Sequence, residues 1–176
     1  MAELQSLALA LVSSCWREAP WTTERRITLQ TLSAPTRLTS ARLIQWLREN
    51  ELRFFVDSDG DVGTFHLNRT YHFIQFGPRN EVFQVRGKWN RVITIERLPQ
   101  VLEFCNNWNM NMVWPKAFYR VCDDGQITVY CELSHDFTHG ATDAQLANIL
   151  SCGVHAGNQF FDELDALIPD PAQARP

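Results

Sequence analysis

The chain has no apolar run long enough to cross a bilayer. The longest near its start, Leu7–Val12, falls far short of the roughly 20 residues a spanning helix needs. It also lacks the basic head of an export signal: Glu3 precedes that run, and no Lys or Arg comes before it. No two cysteines are spaced C-x-x-C, and their number is odd: Cys15, Cys105, Cys122, Cys131 and Cys152. Reduced thiols and a cytoplasmic location are therefore expected, without membrane association. Positive charge is not in surplus, since 16 Lys and Arg face 20 Asp and Glu, so a general nucleic-acid binder is not expected. Gly-x-Ser-x-Gly, a Walker loop, His-Glu-x-x-His and a dinucleotide fingerprint are all missing, as are internal repeats. A non-enzymatic protein with no cofactor is the expectation these absences leave.

What is present is a substantial core. The 176 residues are 45% apolar, with six Trp and eleven Phe, and aromatic area on that scale must be buried somewhere. Residues 98–133 organise the rest. Leu98, Val101, Leu102, Cys105 and Trp108 recur at helical spacing. Pro115 stops that helix and sets up an extended chain. Lys116–Val121 and Ile127–Leu133 then flank Asp123-Asp124-Gly125, which is hairpin-turn chemistry. In the second strand Ile127, Val129, Cys131 and Leu133 point one way and Thr128, Tyr130 and Glu132 the other.

The remaining elements follow in order. Leu4, Leu7, Ala8, Leu11, Val12 and Cys15 form the stripe of an amphipathic helix over 2–18. A connector leads to a second helix over 40–50, with Thr39 or Ser40 as N-cap and Asn50 as a left-handed end. Leu52–Val56, Gly63–Leu67, Tyr71–Phe76, Glu81–Val85 and Val92–Ile95 read as strands, with Gly87 marking a bulge. His135–Gly140 reads as loop. Thr142 and Gln145 form a capping box for a last helix over 143–167, in which Gly153 and Gly157 invite close approach to a neighbour. The order predicts an α+β fold, an antiparallel β-sheet packed with helices. Residues 1–37 are the N-terminal helix and connector, 38–168 the domain, and 169–176 a disordered tail.

Two clusters imitate metal sites. Asp57, Asp59 and Asp61 resemble a calcium loop, but Val62 and Asn68 stand where the loop needs Gly and Glu. A solvated turn is the better reading. His135, His139 and His155 with Cys131 and Cys152 have the ligand types for zinc, yet Cys131 belongs to an apolar strand row, so no metal is expected. Arg86, Lys88 and Arg91 around Trp89 read as the guarded edge of a sheet. Several strands carry apolar residues on both faces: Phe54-Phe55-Val56, Tyr71–Phe76 and Val82-Phe83. Such strands need cover on both sides. The helices at 2–18 and 40–50 could cover one face and those at 97–109 and 143–167 the other. Otherwise a partner chain covers part of one face.

The block Asn107-Trp108-Asn109, Trp114-Pro115-Lys116-Ala117-Phe118, the Asp-Asp-Gly hairpin and the closing helix with Phe160-Phe161 resemble the YbjN family. So do Leu47, Arg53-Phe54 and the Asp59-Gly60-Asp61 turn. The similarity runs over about residues 38–168. It implies a domain similar to type III secretion chaperones and a role as a bacterial sensory-transduction regulator, and it supplies no catalytic residue. The expected function is a non-enzymatic, chaperone-like protein-binding module. Its partner would be a protein client or, in a homodimer, a second copy of the chain, with Phe73, Phe83 and Trp89 on the docking surface. The alternative is a small-ligand sensor with an apolar pocket between helices and sheet.

Overall fold

The computed structural model describes residues 34–170. The helix expected at 2–18, most of its connector and the last six residues lie outside the described residues. Three helices, α1 (Ser40–Glu49), α2 (Leu98–Asn111) and α3 (Asp143–Leu167), pack on six strands. The strands are β1 (Phe55–Val56), β2 (Val62–His66), β3 (Arg69–Phe76), β4 (Val82–Thr94), β5 (Lys116–Val121) and β6 (Gln126–Asp136). They form one antiparallel sheet in the order β1-β2-β3-β4-β6-β5.

Local chemistry explains most element ends. Thr39 accepts a hydrogen bond from the Arg42 N–H at 3.2 Å to start α1. The Thr142–Gln145 capping box starts α3, with both reciprocal bonds made, at 2.8 and 3.1 Å. The end of α1 departs from expectation. Asn50 keeps φ −97° and bonds its amide back to the Trp46 carbonyl, and Glu51 takes the left-handed conformation instead, at φ +56°. The β2–β3 hairpin turns through Leu67 and Asn68, both at positive φ. That is the geometry of a two-residue turn.

The sheet differs from the expected strands in four places. The segment Leu52–Val56 contributes only Phe55 and Val56. Glu81–Val85 and Val92–Ile95, apart from their outer residues Glu81 and Ile95, belong to one strand of 13 residues, β4. The register of β4 against β6 shifts between Lys88 and Val92, so the irregularity lies beyond Gly87. Gly87 serves packing: a side chain there would meet the Cys131 sulfur and the Tyr71 ring, each at 2.8 Å. Strand β6 also continues through His135 to Asp136, because those residues still pair with Phe83 and Val82 of β4.

Every described helix lies on one face of the sheet. That face carries Tyr71 and Phe73 from β3, Phe83, Val85 and Trp89 from β4, and Ile127, Val129, Cys131 and Leu133 from β6, all buried. Helix α3 lies against it through its glycines. A Cβ at Gly153 would stand 2.6 Å from Val85, and one at Gly157 2.8 Å from the Tyr71 ring. Helix α2 joins through Phe104 and Trp108, whose rings meet Phe160 at 5.4 and 5.0 Å. Its Asn109 side chain bonds both the N–H and the C=O of Ala117 on edge strand β5, at 2.8 and 2.9 Å. The expected division of helices between two faces is therefore corrected: 40–49, 98–111 and 143–167 share a side.

Candidate functional site

The three residues expected on a docking surface are all inside the domain. Phe73, Phe83 and Trp89 are 3%, 1% and 1% exposed. Their positions on β3 and β4 alternate onto the helix-covered face, with Phe73 and Phe83 stacked 6.4 Å apart. Trp89 donates its indole N–H to Asp165 of α3 at 2.9 Å, and Arg91 lies over its ring at 4.6 Å. Arg86 and Lys88 do not guard an edge, because β4 pairs with β3 on one side and β6 on the other through both residues.

One of the three does reach a cavity. Phe73 helps form a cleft of about 270 Å³ between α1, α3 and the β1–β2 end of the sheet. Its walls are mostly apolar, with Trp46, Leu47, Leu52, Leu150 and Val154 prominent. Glu51, Arg53, Thr64, Phe65, His66 and Ser151 complete it. The cleft exists because α1 packs through Leu43 and Leu47, and β1 is too short to carry the sheet past Gly63. Residues Thr64–His66 of β2 therefore have no outer strand partner among the described residues.

A buried polar network stands behind His66. Arg69 donates to the Asn158 carbonyl at 2.9 Å, to its side-chain oxygen at 3.4 Å, and to Asp162 and Asp165 at 2.7 and 2.9 Å. Tyr71 donates its hydroxyl to the same Asn158 oxygen at 2.8 Å. Burial alone would lower the Arg69 pKa, but the hydrogen bonds it donates to Asp162 and Asp165 outweigh it and raise it. Burial also pushes the Tyr71 hydroxyl well up, so it remains a donor. Arginine has no acceptor, so the Asn158 atom facing Arg69 must be oxygen. The Asn158 nitrogen then faces His66 Nδ1 at 2.7 Å. His66 Nδ1 must accept, which puts its ring proton on Nε2. Sequence patterns missed this network: Arg69 and Asn158 are 89 positions apart, and no local motif joins them.

The other sequence-level candidates resolve as structure. Asp57 Oδ1 accepts from the N–H groups of Asp59 and Asp61 at 3.0 and 2.9 Å, closing the turn on itself. Burial, then the neighbouring Asp57, raises the Asp61 pKa. His135 packs its ring on Phe137 at 4.6 Å, while Cys131 faces the buried core. Among the described residues, no three His, Cys, Asp or Glu side chains converge as metal ligands. Burial pushes the Cys105 thiol up to about 11 and Cys131 higher still. That is the wrong direction for a nucleophilic thiolate.

The opposite face of the sheet has no described element over it. One rung crosses all six strands: Phe55, Gly63, His72, Arg86, Glu132 and Lys116. The next carries Phe65, Thr70, Lys88, Tyr130 and Phe118. Phe118 stacks on Tyr130 at 5.2 Å, and Glu132 pairs with Arg86 and Lys116 at 3.4 and 3.5 Å. Gln84 lies here too, 4% exposed, with its Oε1 unpaired among the described residues.

A single antiparallel sheet with helices on one side and a cleft where the sheet runs short defines a small α+β domain. The chain belongs to the YbjN family, whose model, described as "Putative bacterial sensory transduction regulator", matches residues 39–166. The fold is similar to that of E. coli YbjN, known from a crystal structure as "a putative transcription regulator". The TM-score is 0.66 at 16% identity, over 76% of this chain and 95% of that one. An uncharacterized protein from Methanothermobacter thermautotrophicus aligns with a TM-score of 0.45 at 11% identity, over 71% of this chain and 99% of that one. No curated protein matches. No described helix is long and apolar enough to cross a membrane.

Proposed function

We propose that the protein is a non-enzymatic sensor module of a bacterial regulatory system, and that the cleft between α1, α3 and β2 takes a small ligand with an apolar body. The observation that carries this is the cleft itself: apolar side chains from two helices and the sheet, with one histidine whose tautomer is fixed from behind. Largely preformed apolar hollows with a few oriented polar groups are the usual form of small-molecule sites. At about 270 Å³ the cleft suits a metabolite of roughly a dozen heavy atoms.

A thermal-shift screen of metabolites tests the reading. A ligand at about 100 times its Kd stabilises by about 2.7 kcal/mol, which moves the midpoint of a domain this size by several degrees. The shift should vanish in Ser151→Phe, which places a ring on the cleft wall. A library in which no apolar metabolite moves the midpoint would count against a sensor.

A second reading is favoured by the uncovered sheet face, with its half-exposed rings and the unpaired Gln84 oxygen. A protein client or a second copy would dock there, as a chaperone-like module requires. That reading expects a midpoint that rises with protein concentration, or with added client, and is indifferent to metabolites.

A further inference from the structure

The polar groups of the cleft narrow what it can hold. His66 Nδ1 is occupied by the Asn158 amide, and Asn158, 7% exposed, is itself pinned by Arg69 and Tyr71. The remaining ring N–H of His66 has no partner among the described residues, and His66 lines the cleft. Arg53 lines it too, on the solvent side, and makes no ion pair among the described residues. These are two donors suited to a carboxylate. Glu51 lines the same cleft and is also exposed, so it opposes a simple anion. Its backbone sits at φ +56°, where glycine would rest without steric cost. It is the one carboxylate on a wall whose other polar side chains are Arg53, His66 and the hydroxyls of Thr64 and Ser151.

We infer that the cleft binds a small zwitterion with an apolar side chain, that is, a free aromatic or branched α-amino acid. Its carboxylate meets the His66 Nε2–H and Arg53, its ammonium meets Glu51, and its side chain lies against Trp46, Leu52, Phe73 and Leu150. This deepens the sensor reading and rests on it: both charges of the ligand find a counterpart, and its hydrocarbon fills the apolar part. Charge complementarity at both ends separates it from a fatty acid or an amine.

The test is calorimetric titration of the full chain with four probes of one body. They are L-phenylalanine, N-acetyl-L-phenylalanine, L-phenylalaninamide and 2-phenylethanol. The expected result is that L-phenylalanine binds at least about tenfold more tightly than each of the other three. Glu51→Gly should fold normally and remove the preference over the acetylated probe. Arg53→Gln should remove the preference over the amide. Equal binding of all four would overturn the zwitterion and leave the sensor reading standing. Binding of none, with no effect of Ser151→Phe on any metabolite screen, would overturn both.

Discussion

The two faces of the sheet share the same strands and differ in almost everything else. On the covered face, side chains are apolar, interlocked and matched to glycine notches in α3. On the other, rings alternate with charges, and contacts run sideways along the rungs rather than up into another layer. The difference shows where stability resides and where function has room to act. It predicts an asymmetric response to mutation. Phe160 is fully buried and touches Phe104, Trp108 and Phe161. Phe160→Ala should cost about 3–5 kcal/mol in urea unfolding. Gly153→Val should also be costly, because its Cβ would stand 2.6 Å from Val85 and α3 would have to lift. On the opposite face Phe65, 65% exposed, tolerates Phe65→Ser with a change within about 0.5 kcal/mol. A Phe65→Ser variant as unstable as Phe160→Ala would break the comparison, showing that both faces are core.

The polar network sharpens it by marking where the covered face meets the proposed ligand cleft. Arg69 ties three groups of α3 to β3 and orients Asn158 toward His66. Arg69→Met keeps the stem and removes the donors. It should destabilise by about 1.5–3 kcal/mol, the range for hydrogen bonds to charged groups. It should also free the Asn158 amide to rotate, so ligand binding in the cleft should weaken beyond what the lost stability explains. Titration of the folded variant would check this. A variant that loses stability but binds with unchanged affinity would show that His66 needs no support from behind.

Much of this was legible in the sequence, and the gaps have physical causes. The capping box, the Asp-Asp-Gly hairpin and the close approach at Gly153 and Gly157 are local patterns with one geometric solution each. The α+β class followed from element order. The candidate surface was not legible. Phe73 and Phe83 lie in strands that are apolar on both faces, and periodicity cannot say which face a helix covers. The strand pattern around Arg86 and Lys88 fits an edge and also the uncovered side of a central strand, where Glu132 supplies the counter-charge. The cleft depends on β1 stopping after two residues, and the His66 tautomer depends on a partner 92 positions away.

The cysteines give the smallest and most local contrast. Cys105 of α2, Cys152 of α3 and Cys131 of β6 are buried, while Cys122 is exposed at the start of the β5–β6 turn. In a Cys15→Ser background, one thiol should react quickly with Ellman's reagent near neutral pH, and Cys122→Ser should abolish it with a stability change within about 0.5 kcal/mol. The buried thiols make a separate prediction about pH. Burial raises the folded pKa of Cys105 to about 11 from an ordinary value of 9.0. Unfolded chains release that proton first, so the folded state binds more protons across this window. Stability is then fully present below about pH 9 and falls as pH rises toward 11, by up to about 1.4 kcal/mol for each pH unit. Cys105→Ala should flatten the Cys105 part of that slope, whereas Cys122→Ser should leave it unchanged. Equal slopes in the two variants would mean that α2 does not seal its thiol from water.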